Sequence, residues 1–228
     1  MTTAKAAGRI IGVIVLLQSV GSGLVNFVLM APVFAAPGFL ENAAGHPQRV
    51  GLSALLGLAT GMLWLGIAIT AFQVFRQRSH AMALWFVALA VISASLIAVE
   101  NINVMSMLSL SEAYGKANIA DRNLFQALRG VVASARNWTH YMSLIVAGST
   151  LVVLYGVLFR FALVPRALAA FGLAAAALMI IAVAMPLFGH DIVFPLIMPL
   201  GLSQLMLALW LIAKGLPASE HQPSAPLP

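Results

Sequence analysis

Residues 81–108 read AMALWFVALAVISASLIAVENINVMSML, and this stretch decides the fold class. Glu100 is the one charged residue within it. The run is longer than the roughly 20 apolar residues that a helix needs to cross a bilayer. Lipid cannot satisfy exposed backbone groups, so a segment of this kind satisfies them internally as a helix. The stretch therefore predicts a transmembrane helix that carries a carboxylate.

The composition of the whole chain agrees with this prediction. The chain is 62% hydrophobic and 8% charged, whereas soluble domains carry roughly 25% charged residues. Its net charge of +6 is spread among the ends of apolar segments. That distribution is typical of membrane topology and not of a nucleic-acid-binding surface, so we predict no nucleic-acid partner. The chain has no cysteine, which excludes disulfides, thiolate catalysis and cysteine-ligated metals.

Further apolar runs lie on both sides of the first stretch. The fourth run ends at Phe161 and starts between Leu124 and Trp138, and the others cover 10–30, 50–75, 167–188 and 192–213. We predict an all-α, polytopic transmembrane bundle of six spans that occupies residues 1–215 as a single domain. The Pro-rich residues 216–228 are predicted to be a disordered tail.

The basic residues predict the orientation of the bundle. Most of them fall on one side of a six-span path, namely Lys5, Arg9, Arg76, Arg78, Arg160, Arg166 and Lys214. On the other side, Arg49, Lys116 and Arg122 are mixed with acidic residues. The positive-inside rule therefore predicts that both termini are cytoplasmic.

Two smaller patterns concern packing. The segment 32–47 contains three prolines and two glycines between Phe34, Phe39 and Leu40, which predicts a segment lying on the outer bilayer surface. The pairs Gly8/Gly12 and Gly57/Gly61 predict close helix packing within the chain, with a dimer interface as the alternative.

Glu100 raises the first functional question. A carboxylate in an apolar run needs a partner, water or a proton. The candidate partners on the next span are Arg129, Arg136 and His140. With a rise of about 1.5 Å per residue from the cytoplasmic arginines, Glu100 and His140 both come out near the outer boundary of the hydrocarbon core.

We therefore predict an outer-facing polar pocket between the third and fourth spans. Asn103 shares a helical face with Glu100, while Arg129, Arg136 and His140 share a face of the fourth span. The predicted binding residues are Glu100, Asn103, Arg129, Arg136, Asn137 and His140. The alternative interpretation is structural, because an ion pair between Glu100 and Arg136 or Arg129 would simply join the two helices.

A metal site is a further alternative. His190 and Asp191 fall at a similar depth to His140 and Glu100. Nitrogen and carboxylate ligands of this kind suit zinc, which would make the protein a metal-dependent intramembrane hydrolase. His190 and Asp191 are equally explained as a solvated turn that caps the sixth span. Walker, Rossmann, HExxH and Gly-x-Ser-x-Gly motifs are absent from the sequence, so we assign no catalytic residues and predict no cofactor.

One stretch resembles a known family. Residues 154–160 read LYGVLFR, residues 164–166 read VPR, and an Ala/Gly-rich helix follows. This pattern resembles the late half of the bacterial membrane family called domain of unknown function 4386. Arg49-Val50-Gly51 is similar to the arginine that precedes the second span of that family, and the length and six-span layout agree. The resemblance implies a bacterial membrane protein without an assigned activity, and the cytoplasmic termini predict the inner membrane.

Three functions remain open at this point. The first is a binding or transport-like protein with a lipid or small amphiphile in the outer pocket. The second is an accessory or structural subunit of a membrane complex, with a membrane protein or a second copy of the chain as its partner. The third is the hydrolase. Membrane lipids are predicted partners in all of them.

Overall fold

The computed structural model describes residues 3–217. Within this range, six helical segments are long and apolar enough to cross a membrane. They are α1 (Thr3–Gly23) with the π-helix Leu24–Leu29, α4 (Pro47–Phe75), α5 (His80–Lys116), α6 (Arg122–Arg160), α7 (Arg166–Ala184) with the 3₁₀ helix Met185–Phe188, and α8 (Met198–Lys214) preceded by the 3₁₀ helix Phe194–Leu196. The short helices α2 (Ala31–Phe34) and α3 (Phe39–Asn42) lie between the first two spans. The prediction of an all-α, six-span membrane protein is confirmed.

The helices begin and end at residues that suit those positions. Pro47 stands at the first position of α4, where its missing N–H breaks no helical hydrogen bond. The Ser79 side chain caps α5 by accepting a hydrogen bond from the Met82 amide at 3.4 Å. Gly215 follows α8 with φ +72°, a conformation that favours glycine. α5 continues to Lys116, so the connection to α6 is shorter than the polar sequence from Ser109 onward suggests.

The spans form a closed ring. Each span packs against the next one in chain order, and α8 packs against α1 to close the ring. Consecutive spans joined by short connections run antiparallel, so residues 3–9 and 214–217 lie together at one end. We call this the terminal end and the opposite end the cap end.

Glycines set several of the closest helix contacts. A Cβ on Gly12 would lie 2.8 Å from the Ala208 carbonyl oxygen, and one on Gly57 would lie 2.8 Å from the Asn101 side-chain oxygen. Gly8 packs directly on the Leu216 backbone. These contacts confirm the prediction of close packing within the chain. Leu216 is buried, while residues 218–228 of the predicted tail lie outside the described residues.

Tyr155 packs where α6, α7 and α8 meet. Its side chain on α6 is fully buried, and its hydroxyl donates a hydrogen bond to the Ser203 Oγ on α8 at 3.2 Å. Gly172 on α7 faces the Tyr155 ring so closely that a Cβ there would overlap the ring atoms. Tyr155 therefore joins α6, α7 and α8.

The segment 31–46 forms a folded cap at one end of the bundle. It contains α2, α3 and the 3₁₀ helix Ala43–Gly45. Its buried apolar side chains form a cluster with the far end of α5, with Met30 before the cap and with Val50 of α4: Met30, Val33, Phe39, Leu40, Ala43, Val50, Val104, Met107 and Leu108. The cap is thus packed onto the end of the bundle. Its position on the outer bilayer surface stays a prediction.

Ser111 fixes the cap by two hydrogen bonds. Its hydroxyl donates to the Leu40 carbonyl at 2.8 Å and accepts from the Ala44 amide at 2.8 Å. Ser111→Ala leaves both backbone groups without this partner, so we expect a loss of about 1–3 kcal/mol in the free energy of unfolding. Hydrogen–deuterium exchange of residues 31–46 should rise. Ser109→Ala is the matched control, because Ser109 bonds only within its own helix. Equal exchange in the two variants would contradict this role of Ser111.

Prolines interrupt the helices around the connection between α7 and α8. Pro186 lies in the 3₁₀ helix that ends the fifth span, and Pro195 lies in the 3₁₀ helix before α8. Pro199 occupies the first turn of α8. Because proline lacks an amide hydrogen, Pro186 and Pro195 lie outside regular α-helix, whereas Pro199 is tolerated in the first turn of α8.

Candidate functional site

A polar cavity of about 160 Å³ lies between α1, α4, α5 and α6. Each of the four helices contributes polar side chains to its wall, and Glu100 is among those from α5. Apolar contacts come from Trp64, Ile97 and Leu144. The cavity is therefore amphipathic, with charged groups on one part of its wall.

Glu100 is the centre of a hydrogen-bonded cluster. Its Oε1 accepts from the Arg136 Nη2 at 3.3 Å and lies 2.8 Å from the His140 Nδ1. Its Oε2 accepts from the Ser143 Oγ at 3.3 Å. The Glu100 and Arg136 side chains are 15% and 14% exposed, so solvent screens this pair weakly. The carboxylate and the guanidinium thus neutralise each other inside the bundle.

All partners of Glu100 in this cluster come from one face of α6. Arg136, His140 and Ser143 are spaced by four and three residues, which places them along one helical stripe. The sequence predicted Arg136 and His140 as partners and missed Ser143, although its spacing from His140 was a visible signal. In the tautomer with its proton on Nδ1, His140 donates to Glu100 and its Nε2 can accept from another group.

Two donors on the cavity wall find no acceptor among the described protein atoms. They are the Asn101 Nδ2 and the Arg136 Nε, and both are buried. A buried donor without an acceptor costs about 1–3 kcal/mol. The cluster therefore has more hydrogen-bond donors than the described protein atoms pair.

α1 lines the cavity with a stripe that includes its π-helical end. Gln18, Ser22, Asn26 and Met30 follow each other at intervals of four residues and all contact the cavity. The Gln18 Nε2 donates to the Ser22 Oγ at 3.2 Å, and the Asn26 Nδ2 donates to the Ser22 carbonyl at 2.9 Å. π-Helical turns occur frequently at functional sites. The four-residue spacing of these polar side chains was the sequence signal for this part of the cavity wall.

Three of the predicted binding residues, Asn103, Asn137 and Arg129, do not line the cavity. The Asn103 Nδ2 donates to the Thr139 Oγ1 at 2.9 Å and so connects α5 to α6. The Asn137 Oδ1 accepts from the Arg136 Nη1 at 3.4 Å. Both residues surround the Glu100 cluster without entering the cavity wall.

Arg129 holds the cap instead of pairing with Glu100. Its Nη2 donates to the Pro37 carbonyl at 2.9 Å, and its Nη1 lies 3.9 Å from the Glu41 Oε1. Arg136 also contacts the cap, because its guanidinium lies 5.1 Å from the centre of the Phe34 ring. The cap is therefore linked to the cavity through Arg136.

The metal alternative lacks its ligand set. His190 and Asp191 are exposed in the turn between the 3₁₀ helices of the last two spans. Among residues 3–217, no group of three or more His, Cys, Asp or Glu side chains is placed to hold a metal ion. The set of His140, His190, Asp191 and Glu100 that the hydrolase requires is thus not assembled, which corrects the expectation drawn from similar depth.

A family model described as "Domain of unknown function (DUF4386)" matches residues 10–215. The chain belongs to the DUF4386 family. The match covers this DUF4386 protein from residue 10 within α1 to the end of α8, including the cap and the cavity, and it confirms the resemblance seen in residues 154–166. No curated protein and no solved structure matches this DUF4386 chain.

Proposed function

We propose that this DUF4386 protein binds a small amphiphile whose polar head occupies the Glu100 cavity. The head carries hydrogen-bond acceptors, and the alkyl part contacts the apolar portion of the wall. The protein does so in the inner membrane of a bacterium, with the cap end facing outward.

The main support for this proposal comes from two buried donors without a described protein acceptor, the Asn101 Nδ2 and the Arg136 Nε. A cluster that serves only to join α5 and α6 needs Glu100, Arg136 and a hydrogen-bond partner or two. It does not need Asn101, which lines the cavity and whose buried Nδ2 has no described protein acceptor. Since an unpaired buried donor lowers stability, its presence favours a ligand that pairs with it.

The size of the cavity limits the head group. A dry cavity of about 150 Å³ accommodates a benzene-sized molecule, and this cavity has about 160 Å³. A carboxylate or a short polar head fits this space, whereas a complete phospholipid does not. Glu100 is already neutralised by Arg136, so the remaining donors favour an anionic or neutral head over a cationic one.

The charge distribution supports the orientation. The terminal end carries Lys5, Arg9, Arg76, Arg78, Arg160, Arg166 and Lys214, while every described acidic residue lies in the half of the bundle toward the cap. Basic residues accumulate on the cytoplasmic side of membrane proteins. The cap and the cavity entrance would then face away from the cytoplasm.

Asn101→Leu tests the function directly. The probes are decanoate and decylamine, added to purified protein in a non-ionic detergent while thermal unfolding is followed. We expect decanoate to raise the melting temperature of the wild-type protein more than decylamine does. In Asn101→Leu we expect the affinity for decanoate to fall about tenfold, the value of a hydrogen bond to a charged group. The free protein should be at least as stable as the wild type, because leucine removes a buried donor that has no protein acceptor.

Asn103→Leu is the matched control on the same helix. It removes the hydrogen bond to Thr139, so it should lower stability and leave the affinity for decanoate intact. Wild-type protein that responds equally to both probes would refute the proposed head-group chemistry. Loss of stability without loss of affinity in Asn101→Leu would make the cluster a structural element. A stoichiometric protein in place of a small molecule in native mass spectra would favour the accessory-subunit hypothesis.

A further inference from the structure

A second cavity lies at the terminal end and shares no lining residue with the cavity that contains Glu100. It has a volume of about 630 Å³ and is formed by the start of α1, the turn between α6 and α7, and the end of α8. Its cationic side chains are Lys5, Arg166 and Lys214, and all three are exposed. We call it the basic cavity.

An apolar groove adjoins the basic cavity. The groove, with a volume of about 640 Å³, runs between α7 and α8 and is lined by Phe171, Met206 and Leu209, among others. Pro165, Trp210 and Lys214 line both spaces. The two therefore form one continuous surface that is cationic at the membrane boundary and apolar toward the membrane interior.

The cations of the basic cavity lack a described acidic partner. The ion pairs among residues 3–217 involve Glu41 and Glu100, and Lys5, Arg166 and Lys214 take part in none of them. The other described acidic residues are Glu112, Asp121 and Asp191, which lie toward the cap end. Three like charges around one space attract an anion.

The basic cavity is also held in shape by the backbone. Gly215 has φ +72°, and a Cβ on it would lie 2.6 Å from the Lys5 carbonyl oxygen. Gly8 packs on the Leu216 backbone one helical turn further along α1. The start of α1 is thus fixed against the end of α8, which keeps Lys5 beside Lys214 and lowers the entropy cost of binding.

We propose that this surface binds an anionic phospholipid, with the phosphate among Lys5, Arg166 and Lys214 and an acyl chain in the apolar groove. The three cationic side chains attract an anionic group, and the adjoining apolar groove favours a molecule that carries an alkyl chain next to that group. Trp210 is 37% exposed where the two parts meet, a position that tryptophan favours at membrane interfaces. Basic sites between transmembrane helices are suited to such headgroups.

The test compares phosphatidylglycerol with phosphatidylcholine of the same acyl chains. Both lipids are titrated onto delipidated full-length protein in detergent, and bound lipids are counted by native mass spectrometry. We expect one phosphatidylglycerol to bind at least about tenfold more tightly than phosphatidylcholine, and the variant Lys5→Gln/Arg166→Gln/Lys214→Gln to remove that preference. The control Arg76→Gln/Arg78→Gln/Arg160→Gln loses the same charge at the same end of the bundle and should keep the preference.

A second variant tests the groove without changing charge. Ala213→Trp fills the apolar groove and should weaken phosphatidylglycerol binding about tenfold, whereas Ala88→Trp, on an exposed part of α5, should not. The proposal is overturned if the two charge variants lose phosphatidylglycerol equally, or if the wild-type protein binds both lipids equally. It is also overturned if millimolar inorganic phosphate displaces the lipid, because the site would then recognise phosphate alone.

Discussion

Replacing Glu100 by leucine should destabilise the protein by about 3–5 kcal/mol, because it leaves a buried guanidinium without its counter-charge. Arg136 is only 14% exposed at the side chain, so water can compensate little of the loss. The same substitution removes the Glu100 oxygen that lies 2.8 Å from the His140 Nδ1, whereas Ser143 keeps the His140 carbonyl as its acceptor at 2.9 Å. Unfolding in a denaturing detergent, followed by circular dichroism, measures the change.

The double variant Glu100→Leu/Arg136→Leu separates the pair from its surroundings. It removes both charges, so we expect it to be at least about 2 kcal/mol more stable than the sum of the single variants predicts. The ion pair of Glu41 and Arg129 serves as a more exposed comparison. Its Oε1 and Nη1 atoms are 3.9 Å apart, and the two side chains are 27% and 36% exposed. Its coupling should be between zero and about 1 kcal/mol. Additive effects for Glu100 and Arg136 would contradict the charge pairing described above.

The second large effect is expected at Gly172. An alanine there overlaps the ring of Tyr155, which is fully buried and hydrogen-bonded to Ser203. The ring has no free space to enter, so α7 must move away from α6. We expect Gly172→Ala to cost about 3 kcal/mol, the upper range of ordinary overpacking. Thermal unfolding in detergent is the measurement.

Two further variants make the result specific to this contact. Gly201→Ala introduces the same methyl group in α8, where nothing lies within 4 Å of the added Cβ, and should be neutral or slightly stabilising. Tyr155→Leu combined with Gly172→Ala should recover part of the loss, because the smaller side chain leaves room for the methyl group. A loss of equal size in the presence and absence of Tyr155 would show that the cost comes from elsewhere.

The contact between Tyr155 and Gly172 joins the two ends of the sequence pattern that resembles the family. This pattern extends from Tyr155 through the VPR turn into the small-residue helix that carries Gly172. In the structure these two residues are in direct contact. The pattern in this chain therefore contains both members of one packing contact.

The fold was predictable to this extent because bilayer thickness sets the length of each apolar run. Residues 109–116 were harder to assign, since their serines and Glu112 look like a loop, yet α5 continues through them by packing against the cap. The cap itself depends on Ser111, whose two hydrogen bonds connect residues far apart in the chain. Such contacts leave no periodic signal in the sequence.

Part of the site was also predictable, because helical spacing shows which side chains share a face. Helical spacing identified Arg136 and His140, which do contact Glu100. The same spacing also suggested Arg129, because periodicity defines the face of a helix and does not define the neighbour at each height. Arg129 instead reaches the cap, and no pattern in the sequence indicated that contact. Asn101 could not be identified, because its exposure to the cavity depends on how α1 and α4 close the ring.

The π-helical segment Leu24–Leu29 has a consequence for which side chains of the first span share the cavity. In an uninterrupted α-helix, the twelve steps from Gln18 to Met30 would leave these two side chains about 120° apart around the helix axis. The wider π-helical turn takes up about one residue and so brings Gln18 and Met30 back to one face. The irregular end of the first span thus lets both residues face one space.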